Sequence, residues 1–240
     1  PYEVLSNNCR MLENVITLAR TQKNLTRLLF ASTSEVYAGT LQHFDLRLPT
    51  PEDTPLAITD FAGSRTSYML SKIMGECLLH YSGVPFTIFR PHNVFGPRMG
   101  LSHVIPEQLR NAYFAQPGEA LPVFSPRHRR TFCFVDDAVK MLELMAYSHS
   151  CEGATLNLGT EAPEINIREL VQMCIEVSGK ELFLEEREET PGSPARRSPD
   201  MTQMKRLLDF ESQVGLYAGI ERTWTWYCEN VFRPDGLSAR

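Results

Sequence analysis

A chain of 240 residues, 42% hydrophobic and 22% charged with a formal net charge of −5, has apolar material for a sizeable core and the balance of an ordinary soluble globular protein. Mild acidity with scattered Lys and Arg leaves no electrostatic footprint for nucleic acid or an anionic membrane. The apolar runs stop at strand length, far short of the roughly 20 residues of a membrane span, and no signal-peptide pattern opens the chain, so the cytoplasm is the expected location. Six widely spread cysteines without a C-x-x-C read as reduced and mostly buried. The six histidines form no i, i+4 pair and sit near no cysteine pair, which sets metal chemistry aside.

In chain order, "YEVLSNNCRMLENVITLART" predicts an amphipathic helix with Leu5, Leu12, Val15, Ile16 and Ala19 near one stripe. Because the chain opens on Pro1 at the start of that helix, it is expected to be part of a longer protein. "RLLFAS" (27–32) has strand length, and "SYMLSKIMGECLLHY" (67–81) predicts a helix with Met69, Leu70, Ile73, Met74, Cys77, Leu78 and Tyr81 as its apolar face. "VPFTIFRP" (84–91) is a strand stopped by Pro91, and strand, helix, strand in this rhythm predicts parallel strands joined by crossovers. A Pro-, Gly- and Arg-rich stretch (91–130) carries a helix near 103–115 and a short strand "LPVF". "RTFCFV" (130–135) reads as one strand, followed by a helix from Asp136 to about Tyr147 whose two aspartates suit its positive end. "TLNLG" (155–159) is another strand. Asn166 and Glu169 form a capping box for "IRELVQMCIEVSG", with Gly179 as its stop. The loop "REETPGSPARRSPD" (187–200) precedes helices at 200–208 and 218–232.

The hydrophobic run at 27–32 closes in hydroxyls and a carboxylate, "ASTSEVYA". In a doubly wound sheet the strand ends form the ligand crevice, which puts Ser32, Thr33, Ser34 and Glu35 at its lip. By itself that pattern is also an ordinary polar turn. Downstream, Tyr68 and Lys72 stand at i and i+4 and share one helix face. Alone that pair is weak evidence; a Ser/Thr-ended strand, a Tyr-x-x-x-Lys helix and a strand ending in "RP", in this order, form a far more specific set. A phenol with a pKa near ~10 is a poor base, but an adjacent ammonium favours the phenolate. Tyr68 would then take a hydroxyl proton as hydride leaves the same carbon, with Lys72 beside it and Ser34 or Thr33 bonded to the reacting oxygen.

"ASTSEVY" followed by "SYMLSK", "FRPHNVFGPRM", "RTFCFVDDAV", "LNLG" and "PARRSPD" resembles the extended short-chain dehydrogenase/reductases, specifically the NAD-dependent sugar-nucleotide epimerases and dehydratases, from about Asn8 to Tyr227. The resemblance implies a Rossmann-type doubly wound parallel sheet whose first strands are absent from this chain, with a smaller C-terminal substrate-binding lobe. Residues 1–96 and 131–160 are expected to be the remainder of the dinucleotide-binding domain, and 97–130 and 161–240 the sugar-nucleotide lobe. Tyr68 and Lys72 match the family's catalytic pair, Ser34 or Thr33 its hydroxyl partner, and Glu35 an acid/base glutamate of the dehydratases and decarboxylases. The cofactor contacts implied are Tyr68, Lys72, Ser32, Pro91 and Asn8. Asn93 matches an asparagine near the substrate diphosphate, and Arg130 with Arg196 or Arg197 matches arginines that grip nucleotide phosphates.

The chain departs from the family at several points. No Gly-x-x-Gly-x-x-Gly occurs in it, Ala38 replaces a glycine, Met69 a small residue, and Ser193 an aspartate. The 34-residue step from Ser34 to Tyr68 implies an enlarged loop, 39–66, over the site. Ser34 also stands where typical 4,6-dehydratases carry aspartate. The expected activity is therefore an NAD-dependent epimerase/dehydratase working on a nucleotide-activated sugar through a 4-keto intermediate, in polysaccharide or glycoconjugate precursor synthesis. The alternatives are a sugar-nucleotide decarboxylase, an NAD(P)H-dependent reductase, or a non-catalytic nucleotide-binding module. A homodimer built from the helices at 3–21 and 67–81 is the implied assembly.

Overall fold

The computed structural model describes residues 1–44, 47–190 and 193–233. Parts of the two long loops predicted at 39–66 and 187–200 therefore lie outside the described residues. The chain runs α1 (Tyr2–Thr21), β1 (Leu28–Ala31), a 3-10 turn (Ser34–Tyr37), α2 (Ala38–His43), α3 (Thr66–Ser82), β2 (Phe86–Pro91), β3 (Val94–Phe95), α4 (Val104–Phe114), β4 (Ala120–Val123), β5 (Arg129–Arg130) and β6 (Cys133–Phe134). It continues through α5 (Val135–Tyr147), β7 (Thr155–Leu158), β8 (Ile165–Asn166), α6 (Ile167–Ser178), β9 (Phe183–Glu186), β10 (Arg196–Arg197), α7 (Thr202–Leu208) and α8 (Leu216–Asn230). Two compact units result: 1–92 with 139–161 and 198–211, and 93–138 with 162–197 and 212–240. Relative to the sequence expectation, 93–96 and 131–138 group with the second unit, and 161 and 198–211 with the first.

The first unit is a parallel α/β layer of the Rossmann type. Its sheet has the order β1-β2-β7, with Leu28–Ala31 against Phe86–Phe89 and Ile88–Pro91 against Thr155–Leu158. Near-continuous apolar strands such as "FTIF" suit a sheet covered by helices. Leu12, Ile16 and Ala19 of α1 meet Leu79, Val84, Phe86 and Ile88 in one core. Gly75 lets α3 close on that core, since a Cβ there would lie 2.5 Å from Phe30 Cζ and 3.0 Å from Leu12 Cδ2. The apolar face predicted for α3 is only partly the packed one. Met69, Ser71, Gly75, Glu76 and Leu79 are buried, whereas Met74, Cys77 and Tyr81 face outward. On α1, Val15 is likewise exposed.

The second unit is built on α4, α6 and α8 around Phe95, Ile105, Leu109, Phe134, Leu170 and Ile220. The capping box at Asn166 and Glu169 forms, and Gly179 ends α6 at φ 67°. "RTFCFV" is two strands rather than one: Arg129–Arg130 lies between β8 and β10, while Cys133–Phe134 pairs with β3. Each half thus bonds a different partner, which interrupts the ladder at Thr131 and Phe132. Asp136 and Asp137 both lie in the first turn of α5, and Asp137 Oδ2 accepts the N–H groups of Gln213 and Val214, both at 3.0 Å. Asp136 pairs with Arg222 at 2.5 Å.

Candidate active site

β1 ends at Ala31 and the chain turns through Ser32–Tyr37, so the hydroxyl cluster stands at a parallel strand's carboxyl end, where ligand crevices of open α/β sheets lie. Thr33 caps the 3-10 turn, its Oγ1 accepting the Glu35 N–H at 3.2 Å. Ser32, Thr33 and Ser34 are buried and Glu35 is half-buried. α3 packs along this turn, and three polar contacts tie the two together. Lys72 Nζ donates to the Ala31 carbonyl at 2.9 Å, Ser32 Oγ donates to Glu76 Oε1 at 2.5 Å, and Arg65 Nη2 meets Glu35 Oε1 at 3.1 Å. Tyr68, Lys72 and Glu76 recur at intervals of four and so lie along one stripe of the helix.

Tyr68 is 39% exposed, and Lys72 Nζ lies 5.6 Å from its ring centre and 5.3 Å from that of Phe30. Burial pushes the pKa of the Lys72 ammonium below the ordinary lysine value. Asn8 reaches α3 from α1, donating from Nδ2 to Ser71 Oγ at 2.9 Å, and that hydroxyl donates to the Tyr68 carbonyl. Pro91 closes β2 beside Leu158. The sequence-derived set Ser32, Thr33, Ser34, Glu35, Tyr68, Lys72, Asn8 and Pro91 therefore falls in the first unit. The enlarged loop is pinned there as well: Thr50 N donates to Ser198 O and Asp200 N to Thr50 O.

Beneath the strand ends runs a buried polar network that the sequence reading did not mark. Arg90, within β2, forks onto Glu76 at 2.9 and 2.6 Å and donates to Tyr37 Oη at 2.7 Å and the Glu52 carbonyl at 2.9 Å. Tyr37 Oη donates to Asn157 Oδ1, and the Asn157 N–H donates to Glu52 Oε1 at 2.8 Å. Burial works against the charged guanidinium, yet Glu76 and Tyr37 hold Arg90 above its ordinary range. Burial also pushes Tyr37 up to about 12, despite Arg90 beside it. The available signal was an arginine inside "TIFRP" and a glutamate on a packed helix face, two positions where an unpaired charge is not tolerated.

Asn93, Arg130, Arg196 and Arg197 lie in the second unit. Asn93 adopts φ 40°, which asparagine tolerates, and donates from Nδ2 to the Thr131 carbonyl. Across the β5–β10 ladder Arg129 faces Arg196 and Arg130 faces Arg197, which places four guanidinium side chains on two residue pairs. Arg196 is held by Glu164 at 2.6 and 2.7 Å, and this bonding keeps Glu164 below the usual carboxylate range. Arg130 is buried and donates to the carbonyls of Arg129, Pro194 and Ala195 and to Ser193 Oγ.

Fold and sequence motif together define an α/β chain of the Rossmann type in which a Ser/Thr-ended strand is followed by a Tyr-x-x-x-Lys helix. The chain belongs to the NAD dependent epimerase/dehydratase family, whose model matches residues 1–159. It is 30% identical over 231 residues to UDP-glucuronic acid decarboxylase 5 of Arabidopsis thaliana, covering 92% of this chain and 62% of that protein. It is also 30% identical to UDP-N-acetyl-alpha-D-glucosaminuronate decarboxylase of Bacillus cytotoxicus, over 95% of this chain and 71% of the relative. Among solved structures, an epimerase from Methanothermobacter thermautotrophicus superposes with a TM-score of 0.79 at 26% identity, over 93% of this chain and 65% of that one. The fold is shared with UDP-glucuronic acid 4-epimerase of Bacillus cereus, solved with UDP-glucuronic acid and NAD, at a TM-score of 0.79 and 21% identity over 92% of this chain and 67% of that one.

Proposed function

We propose that this chain carries the proton-transfer and substrate-gripping part of an NAD-dependent enzyme that processes a nucleotide-activated sugar through a 4-keto intermediate. One observation supports the reading: α3 packs along the hydroxyl turn, with Lys72 Nζ 2.9 Å from the Ala31 carbonyl and 5.6 Å from the centre of the Tyr68 ring. The donor set suits the nicotinamide-ribose end of NAD, since an ammonium with three N–H donors and a neighbouring phenol match a sugar diol. The glycine-rich turn that cradles a pyrophosphate does not occur in this sequence, so these residues account for that end alone.

Bound NAD would supply the hydride acceptor and donor. Tyr68 takes the proton of the sugar 4-hydroxyl, Lys72 stabilises the phenolate by its charge, and Thr33 or Ser34 hydrogen-bonds the reacting oxygen. The ketone so formed acidifies the adjacent C–H, where Glu35, held by Arg65, can exchange a proton. In the second unit Asn93, Arg130 and Arg196 or Arg197 are the candidates for gripping nucleotide phosphates. This supports epimerisation or dehydration as the reaction class.

Decarboxylation is a second reading, favoured by the Glu35–Arg65 pair and by the decarboxylase relatives. Oxidation at C4 of a uronic acid makes a β-keto acid, which loses carbon dioxide without further activation. We further propose a homodimer through α1 and α3, supported by the outward Met11, Leu18, Met74 and Tyr81. Leu18→Asp should then convert the dimer to a monomer in sedimentation, and a wild-type monomer refutes the assembly.

The deciding experiment incubates the full-length protein with a panel of nucleotide sugars, including uronic acids, and follows reduced-nicotinamide absorbance, product identity and carbon dioxide. Tyr68→Phe should lower turnover by ~10²–10⁴-fold while cofactor binding is retained. Unchanged turnover refutes the assignment.

A further inference from the structure

Two successive residues at the end of β1 are tied to two successive turns of α3. The Ala31 carbonyl accepts from Lys72 Nζ, and the Ser32 hydroxyl donates to Glu76 Oε1 at 2.5 Å. The two ties differ in kind. Lys72 is only half-buried, and the proposed function assigns it a cofactor hydroxyl. Ser32 is 3% exposed and Glu76 6%, so neither side chain is presented to a ligand in the crevice. Glu76 is itself held from the far side by the Arg90 fork, and Arg90 is fixed in turn by Tyr37 and the Glu52 carbonyl. The carboxylate that receives Ser32 therefore cannot swing away.

We propose that Ser32 and Glu76 form a positioning clamp that keeps the Tyr68–Lys72 face of α3 in register with the Thr33–Glu35 turn, and that Ser32 serves the reaction through this clamp and not as a cofactor ligand. The proposal rests on the catalytic reading of Tyr68 and Lys72. Its geometry follows from the helix repeat: Glu76 lies one turn beyond Lys72 and two beyond Tyr68, about 6 and 12 Å along the axis, so a fixed Glu76 fixes their azimuth around the helix. When a cofactor hydroxyl competes for Lys72, the Lys72–Ala31 tie weakens and the Ser32–Glu76 tie remains to hold register. Positioning of this type acts on the rate, because a misplacement of about 1 Å can lower turnover by about 10²-fold.

The test uses the full-length protein and the variants Ser32→Ala, Ser32→Thr and Glu76→Gln, with cofactor affinity measured by isothermal titration beside kcat and its pH profile. Ser32→Ala leaves Glu76 on the Arg90 fork and is the variant that folds most securely. It should lower kcat by about 10-fold to 100-fold, displace the pH profile of kcat, and change the cofactor Kd by less than about twofold. Ser32→Thr, which keeps the hydroxyl, should restore most of the rate, and Ser32→Ala combined with Glu76→Gln should be no worse than Glu76→Gln alone. A large rise in cofactor Kd with kcat unchanged at saturation overturns the clamp and makes Ser32 a cofactor ligand. Loss of thermal stability with an unmoved kcat and pH profile overturns it in favour of a purely structural contact. Should Tyr68→Phe leave turnover intact, the catalytic reading falls separately. Amide exchange across 66–76 then decides the clamp: faster exchange in Ser32→Ala supports it, and unchanged exchange refutes it.

Discussion

Arg90→Met removes the guanidinium while keeping most of the apolar stem, and so isolates the charge chemistry of the buried network. The side chains of Arg90 and Glu76 are 6% and 8% exposed, and the fork makes two bonds to the carboxylate and two more to Tyr37 and Glu52. Removing one partner of such a pair strands the other in low dielectric, at a cost on the order of 3–5 kcal/mol. Set against a total stability of roughly 5–15 kcal/mol, the loss is about a fifth or more of the whole. With an m-value of about 2–3 kcal/mol/M in urea, the midpoint should fall by about 1–2.5 M. The assay is urea unfolding followed by circular dichroism. A companion variant, Glu76→Met with Arg90→Met, replaces both charges by apolar volume and should be more stable than Arg90→Met alone. A drop below about 1 kcal/mol for the single variant, the value of an exposed pair, would refute the burial argument. So would a double variant no better than the single.

Three further outcomes follow from packing and ionisation. Burial pushes the Cys133 and Cys174 thiols up to about 12, so native alkylation should label exposed Cys77 first and reach those two only in denaturant; rapid native labelling of Cys174, read by mass spectrometry, contradicts the packing. At Gly219 a Cβ would lie 2.7 Å from Phe95 Cζ and 2.9 Å from Phe134 Cδ2, both rings packed in the core. Gly219→Ala should therefore lower the melting temperature, because overpacking of about 1–3 kcal/mol exceeds the ~1 kcal/mol that alanine adds to a helix. Burial raises Glu52 above its ordinary value of 4.5, so its contribution to stability is fully present below pH 4.5 and is lost as pH rises through the folded value. Glu52→Gln keeps an acceptor for the Asn157 N–H and should stabilise the protein at neutral pH, with the difference vanishing below pH 4.5; a constant difference across that range would refute the assignment.

Long periodic elements were legible in the sequence because their signals are local. The capping box at Asn166 and Glu169 and the stop at Gly179 were readable to the residue, since each is decided within a turn of helix. Two-residue strands were not, because Arg129–Arg130 and Cys133–Phe134 owe their conformation to partners 30 or more positions away or to Val94–Phe95. The packed face of α3 was misjudged for a related reason. Counting apolar residues selects Met74, Cys77 and Tyr81, whereas the close approach of Phe30 to Gly75 and the buried pairing of Glu76 select the neighbouring stripe.

For the proposed site, the ordered motif singles out Tyr68, Lys72 and the hydroxyl turn as candidates from residue types alone. Which hydroxyl faces inward is a different question, and it was decided by a partner 44 positions along the chain. Ser32, Thr33 and Ser34 look equivalent in "STS" and all three are buried, yet their partners differ. The first of them meets Glu76, and the second turns back to cap Glu35. A motif read by composition alone therefore cannot separate a residue that touches substrate from one that aims it. Under the proposed clamp that separation rests on the buried Glu76, which is itself paired with Arg90, so the proposed site reaches from an exposed phenol to an arginine inside the sheet.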